Sequence, residues 1–406
     1  NTSYDNGERN YHIIGASDGG MIDLSGLDTV TAPVQNDDYV RFNLSGATST
    51  IDLSSLSTIT SASRGRVIFD VTQGATLSLP SVETVFNGIF YASGGSRLNV
   101  NSSLATYSST GLWDLQDSSA HTWTLMSATG AETILDLSSI QSIDAGFNDG
   151  QNTSYDNGER NYHIIGASDG GMIDLSGLDT VTAPAQDDDY FQFILSGETS
   201  AIDLSSLTTI RSAGSGKTLF TVNGGLLTLG ELNPSGPTEI TVTGVEFVQT
   251  TAILNVVGDV LLENPDKVTL SCATMEVKGD LEYRLIDENN FIASDSIIHM
   301  NGNGVQYLEA GGLNVGTMVS VLSNDNFGFG QLIVGQDDQP ATVVLKDTMD
   351  NGNGYACAAE NEAVYLFGLD AIDPYGLRIL GGSTLVLNDI NLYVYEDGVW
   401  VDINEL

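Results

Sequence analysis

The chain has 406 residues, with 53 Asp and Glu against 13 Lys and Arg, and a formal net charge of -40. Such a surface repels a phosphate backbone and an anionic bilayer, which excludes nucleic acid as a partner. At 41% hydrophobic residues the chain is not a disordered acidic tail. No apolar run approaches the ~20 residues of a membrane span, which excludes membrane insertion.

The chain begins NTSYDNGERNYHIIGASDGGMIDLSGLDTVTAP (residues 1–33), and the same 33 residues return at 152–184. The duplication extends with scattered changes, so that residues 1–64 are repeated at 152–215. An active site that occurs once has no use for such a copy, whereas a stack of interchangeable units does.

Inside the long repeat a shorter motif recurs, apolar-x-Leu-x-x-Leu-x-x-Ile/Val. It starts at Ile22, Ile51, Leu77, Leu135, Ile173 and Ile202, with looser versions at Leu98, Leu227, Leu254 and Leu385. The steps from Ile22 to Leu254 are 29, 26, 21, 37, 38, 29, 25 and 27 residues. Periods of this size mark solenoids, propellers or arrays. An alternating run precedes nearly every motif: in YVRFNLSG, Val40, Phe42 and Leu44 alternate with Arg41, Asn43 and Ser45. That is a strand with one buried face, and the following Gly supplies a turn. Each unit therefore reads as two strands, a bend and a loop. The long steps place insertions at about residues 105–120 and 144–160.

Stacked in register, such units make an all-β parallel β-helix (β-solenoid) of irregular 21–38-residue coils. The Leu-x-Leu-x-x-Leu core also resembles a leucine-rich repeat, but lacks its regular Asn. The regular solenoid is assigned to residues 1–262. Residues 263–406 are read as an irregular β-solenoid continuation with a C-terminal cap or small β-domain, because an uncovered solenoid end invites aggregation.

The motif alignment puts one outward position in every coil: Asp23, Asp52, Ser78, Asn99, Asp136, Asp174, Asp203 and Thr228. With strands about 4.8 Å apart, Asp136, Asp174 and Asp203 form one carboxylate column and Asp23 and Asp52 another. Like charges so close repel by roughly 1 kcal/mol even in water. A cation reverses that sign, and Ca²⁺ is the ion such oxygen ligands select, although no cofactor is required. The alternative is that these Asp are solvated and keep the sheet from sticking laterally. Weaker Ca²⁺ candidates are the loops holding Asp37 and Asp38, Asp187 to Asp189, and Asp347 and Asp350.

Catalytic candidates do not converge. Arg41 has Gln192 as its counterpart, and Arg9 and His12 recur as Arg160 and His163, which a unique active site does not need. His121 and His299 fit no metal spacing. Cys272 and Cys357 are the only cysteines and read equally as one bridge or two buried thiols.

The two-strand format resembles the β-solenoid passengers and fibres of large secreted bacterial surface proteins, of autotransporter or adhesin type. The resemblance implies a secreted, extracellular or cell-surface location and a structural role: a fibre or filament subunit or an adhesin stalk, self-associating head-to-tail through solenoid ends. It implies no enzyme. The other expectation is a carbohydrate-binding or polysaccharide-cleaving β-helix acting on cell-surface or environmental polysaccharide.

Overall fold

The computed structural model describes residues 10–35, 38–100, 103–114, 121–150, 160–244, 251–264, 266–317, 324–349, 351, 362–369 and 375–405. Strand accounts for 54% of the chain and helix for 2%, which makes the protein all-β. Among the described residues pairing is parallel except in one C-terminal hairpin and two isolated bridges. The chain is thus a parallel β-solenoid, and it divides into two compact units, Asn1–Thr218 and Leu219–Leu406.

In the first unit, coils of three strands repeat. The first coil comprises β1 (Tyr11–Ala16), β2 (Met21–Asp23) and β3 (Thr29–Ala32), and the second β4 (Tyr39–Ser45), β5 (Thr50–Asp52) and β6 (Thr58–Ser61). The third is β7 (Arg66–Thr72), β8 (Thr76–Ser78) and β9 (Thr84–Phe86), and the fourth β10 (Gly88–Ser93), β11 (Arg97–Asn99) and β12 (Thr106–Ser108). The fifth is β13 (His121–Thr129), β14 (Ile134–Asp136) and β15 (Ser142–Asp144). The duplicated stretch then gives β16 (Asn161–Ser168), β17 (Met172–Asp174) and β18 (Thr180–Ala183), followed by β19 (Tyr190–Ser196), β20 (Ala201–Leu204) and β21 (Thr209–Ser212).

The third strand of each coil corrects the two-strand expectation. Its residues, TVTA in β3 and TITS in β6, are the end of the motif itself. Three or four residues carry too little alternation to announce a strand alone; stacking in a seven-stranded parallel sheet makes them one.

Registers follow the motif. Leu77, Leu98, Leu135, Ile173 and Ile202 pair in succession as one inward column. Leu53, Leu137 and Leu204 are buried, as the motif requires. Beside them Phe42, Phe69 and Phe90 stack with centroids 5.1 and 5.6 Å apart. The corner between the first and second strands is turned by Gly46 and its copy Gly197, at φ of 88° and 90°, where a side chain would be strained.

Within the second unit an inward column of the same kind is formed by Leu227, Leu254, Met275, Ile298, Leu332 and Leu377. The motif at Leu385 belongs elsewhere, since Leu385 pairs with Val343 in another ladder. Its sequence matches, but Leu377 already fills the column. The unit closes with an antiparallel pair, Asn391–Glu396 against Val399–Asp402. Trp400 packs edge-on to Tyr365 and Phe367 there, at 5.3 Å each.

Candidate functional site

The predicted carboxylate columns exist. Asp136 pairs with Asp174 and Asp174 with Asp203, and Asp23 pairs with Asp52. Local chemistry explains why Asp stands there. Oδ1 of Asp23, Asp52, Asp136, Asp174 and Asp203 accepts the backbone N–H of Ser25, Ser54, Ser138, Ser176 and Ser205, at 2.9–3.2 Å. This Asx turn bends the chain out of the second strand, and Asp is suited to it because its short side chain reaches two residues ahead. Hydrogen bonds from Ser25 hold the Asp23 carboxyl below the usual carboxylate range. Among the described residues no group of three or more His, Cys, Asp or Glu could hold a metal ion. Each carboxylate of the columns thus serves a turn in its own coil.

Two predicted residues do line a concavity. A groove of about 550 Å³ lies where the β2–β5 pair meets β8. Asp23, Asp52, Thr50, Thr76, Ser54 and Ser78 supply its polar lining, with Met21 and Pro80 among its apolar residues. Hydroxyls and carboxylates repeating at the coil spacing suit hydrogen bonding to a polyhydroxylated chain.

A buried polar nest, missed in the sequence, surrounds Asn161. Asn161 donates from its backbone N to Asp189 Oδ1 (2.8 Å) and from Nδ2 to Asp149 Oδ2 (2.9 Å), while its Oδ1 accepts from Asp114 N (2.9 Å). Asp114, Asp149, Asp188 and Asp189 are all buried. Burial pushes the Asp189 carboxyl up to about 8, aided by the neighbouring charges of Asp149 and Asp188 and opposed by the Asn161 N–H. Asp189 thus holds its proton at neutral pH. Asp187 to Asp189 were legible as an acidic loop; the partners that bury it come from residues 114 and 149, which no local pattern connects.

His163 sits beside the nest, fully buried and 4.6 Å from the Phe147 ring. Its Nε2 lies 2.6 Å from the Leu112 carbonyl, which can only accept, so Nε2 carries the proton and Nδ1 accepts from Ser109 Oγ (3.0 Å). Burial lowers its pKa to about 4, so the ring is neutral and fully engaged. It positions the 109–112 segment and has no nitrogen left for a substrate. Its copy in the first coil, His12, is exposed.

The other expected positions are apart from one another. Arg41 pairs with Asp70. His121 Nδ1 is 3.9 Å from Asp114, and His299 Nδ1 is 3.8 Å from Glu276 while its Nε2 lies 2.9 Å from the Gly335 carbonyl. Asp38 Oδ1 accepts from Asn10 N (2.7 Å) and Asp347 Oδ2 from Glu362 N (2.9 Å). Cys272 Sγ lies 3.7 Å from Asp295 Oδ2. Arg9, Asp37, Asp350 and Cys357 lie outside the described residues, as does most of the insertion at 144–160.

Compared with known proteins, the chain matches no family model, no curated protein and no solved structure. Among the described residues no helix is long and apolar enough to cross a membrane.

Proposed function

We propose that this chain is an extracellular structural protein, a fibre subunit or the stalk of a surface adhesin, that assembles through the ends of its coils. One observation carries the reading: coils stack on one another in parallel register, and the same 33 residues serve in two of them, which is how an array of interchangeable units is built. Coils that pair along their strand edges within a chain can pair in the same way between chains. The acidity supports an extracellular setting, where divalent cations and salt screen a charge of -40. Negative-stain microscopy of the native material tests it. Fibres or end-joined particles are expected; isolated particles at every concentration would sink the reading.

The groove at Asp23 and Asp52 favours a second reading, a carbohydrate-binding or carbohydrate-cleaving β-helix. Incubation with acidic polysaccharides, followed by an assay for unsaturated or reducing ends, separates the two. Product formation would make the chain an enzyme and end the structural reading.

A further inference from the structure

The third strands of the first unit, too short to announce themselves in the sequence, carry an outward face of uniform chemistry. Thr29 pairs with Thr58 and Thr58 with Thr84, and Val85 opposite Tyr107 sets Thr106 beside Thr84. Thr106 then pairs with Ser142, Ser142 with Thr180 and Thr180 with Thr209. Seven successive coils thus bring a hydroxyl to one row, although the coils differ in length. Two residues further along each strand, a second row holds Thr31, Thr60, Ser108 and Thr182, interrupted by Phe86, Asp144 and Arg211. Between the rows Val30, Ile59 and Val85 are buried and hold the strands from beneath. Threonine favours strands in general, so the other faces serve as the control. On the second strands an outward column reads Thr76, Arg97, Ile134, Met172 and Ala201. On the first strands one runs Ile13, Arg41 and Ile68. The same parallel stacking tolerates mixed chemistry there, whereas the first row of the third face keeps to hydroxyls.

We infer that this face binds ice. A threonine offers water a hydroxyl that both donates and accepts, and a methyl around which water orders. Along the stack the hydroxyls repeat at about 4.8 Å, and residues i and i+2 of one strand lie about 6.6 Å apart. Both repeats lie near oxygen spacings on a prism face of ice, so water held on the hydroxyls can continue into the crystal. Liquid water has no such lattice; the solid presents one spacing to the whole row at once. Charge points the same way. The first row bears no ionisable group in a chain of formal charge -40, and so suits a partner that is itself uncharged. An anionic glycan or lipid would meet the repulsion of the whole molecule. A neutral polysaccharide surface calls for aromatic rings to lie against the sugars, and Phe86 is the one ring on the two rows. The hydroxyls keep capacity for water. Ser142 Oγ donates to Thr106 Oγ1 (3.1 Å) and Arg211 Nε to Thr182 Oγ1 (3.0 Å), and each leaves the accepting hydroxyl free to donate outward.

The inference goes beyond the structural reading and holds whether or not chains join end to end. Incorporation of the full chain, fluorescently labelled, into slowly grown polycrystalline ice tests it. Wild type is expected to enter the ice and to facet crystals grown in its solution, while an ordinary soluble protein stays in the liquid. Thr84→Tyr and Thr106→Tyr, both at exposed positions, should each lose most of that incorporation, because a ring standing above the row holds the face off the lattice. Thr122→Tyr, at an exposed threonine of the first-strand face, should keep it, with circular dichroism confirming the fold of each variant. Exclusion of wild type from the ice, or incorporation indifferent to Thr84→Tyr and Thr106→Tyr, would overturn the inference. Retention on microcrystalline cellulose or chitin that those two variants abolish, together with exclusion from ice, would give the face to the carbohydrate reading instead. Ice binding by particles that never form fibres would sustain the inference and sink the structural reading alone.

Discussion

The two copies of residues 10–33 form an internal experiment: one sequence in two environments. Both make the same three strands with the same Asx turn, at Asp23 and at Asp174. Burial then diverges. β16 alternates buried and half-buried, whereas β1 is exposed at four of its six residues. His163 is a neutral core residue and His12 a surface one. Local sequence decides the path of the chain in a solenoid; the neighbouring coil decides what each side chain is worth.

Matched substitutions sharpen the comparison. The largest difference is expected at Leu175 and Leu24. Leu175→Ala opens a cavity in a closed coil and should cost about 2–5 kcal/mol, whereas Leu24→Ala, already half-exposed, should cost about 1 kcal/mol, both measured by denaturant unfolding. Equal losses would break the comparison.

Gly177 and Gly26 come next. A Cβ on Gly177 would sit 2.2 Å from the Ser138 carbonyl oxygen, while one on Gly26 meets nothing within 4 Å. Gly177→Ala should destabilise by about 1–3 kcal/mol and Gly26→Ala by no more than about 0.5 kcal/mol.

A pH titration isolates Asp189. Its folded-state pKa lies above its unfolded value of 3.8, so the folded protein retains a proton that the unfolded chain has lost. The resulting stability is complete below about pH 4 and is lost as the pH rises through about 8. The melting temperature should therefore fall between about pH 4 and 8 and level off above that, and Asp189→Asn should flatten that fall. An unchanged slope in the variant would show that the nest does not hold the proton.

The smallest effect concerns the carboxylate columns. Asp136→Ala should lose about 0.5–1.5 kcal/mol with its turn hydrogen bonds, and the melting temperature with and without a chelator separates that turn role from a cation role. A marked chelator-induced drop would show that the columns hold a cation as well as forming turns.

Much of the architecture was readable along the chain. The Ile22-type motif announced the inward column because stacking repeats one environment every coil, and the same spacing put Asp136, Asp174 and Asp203 in line. What that line does was not readable, since an Asx turn and a metal ligand use the same residue at the same period. Leu385 misled for a related reason: a short motif fits any face of the coil, and only pairing tells which. The third strands escaped because three residues hold no full alternation.

The sequence by itself determined the parallel solenoid, its period and its turn chemistry, because these arise from interactions within one coil or between successive like coils. Tertiary structure decided the rest. The Asn161 nest, the neutral His163 and the exposure of His12 depend on which coil lies next door, and two identical stretches of chain cannot carry that difference in their own residues.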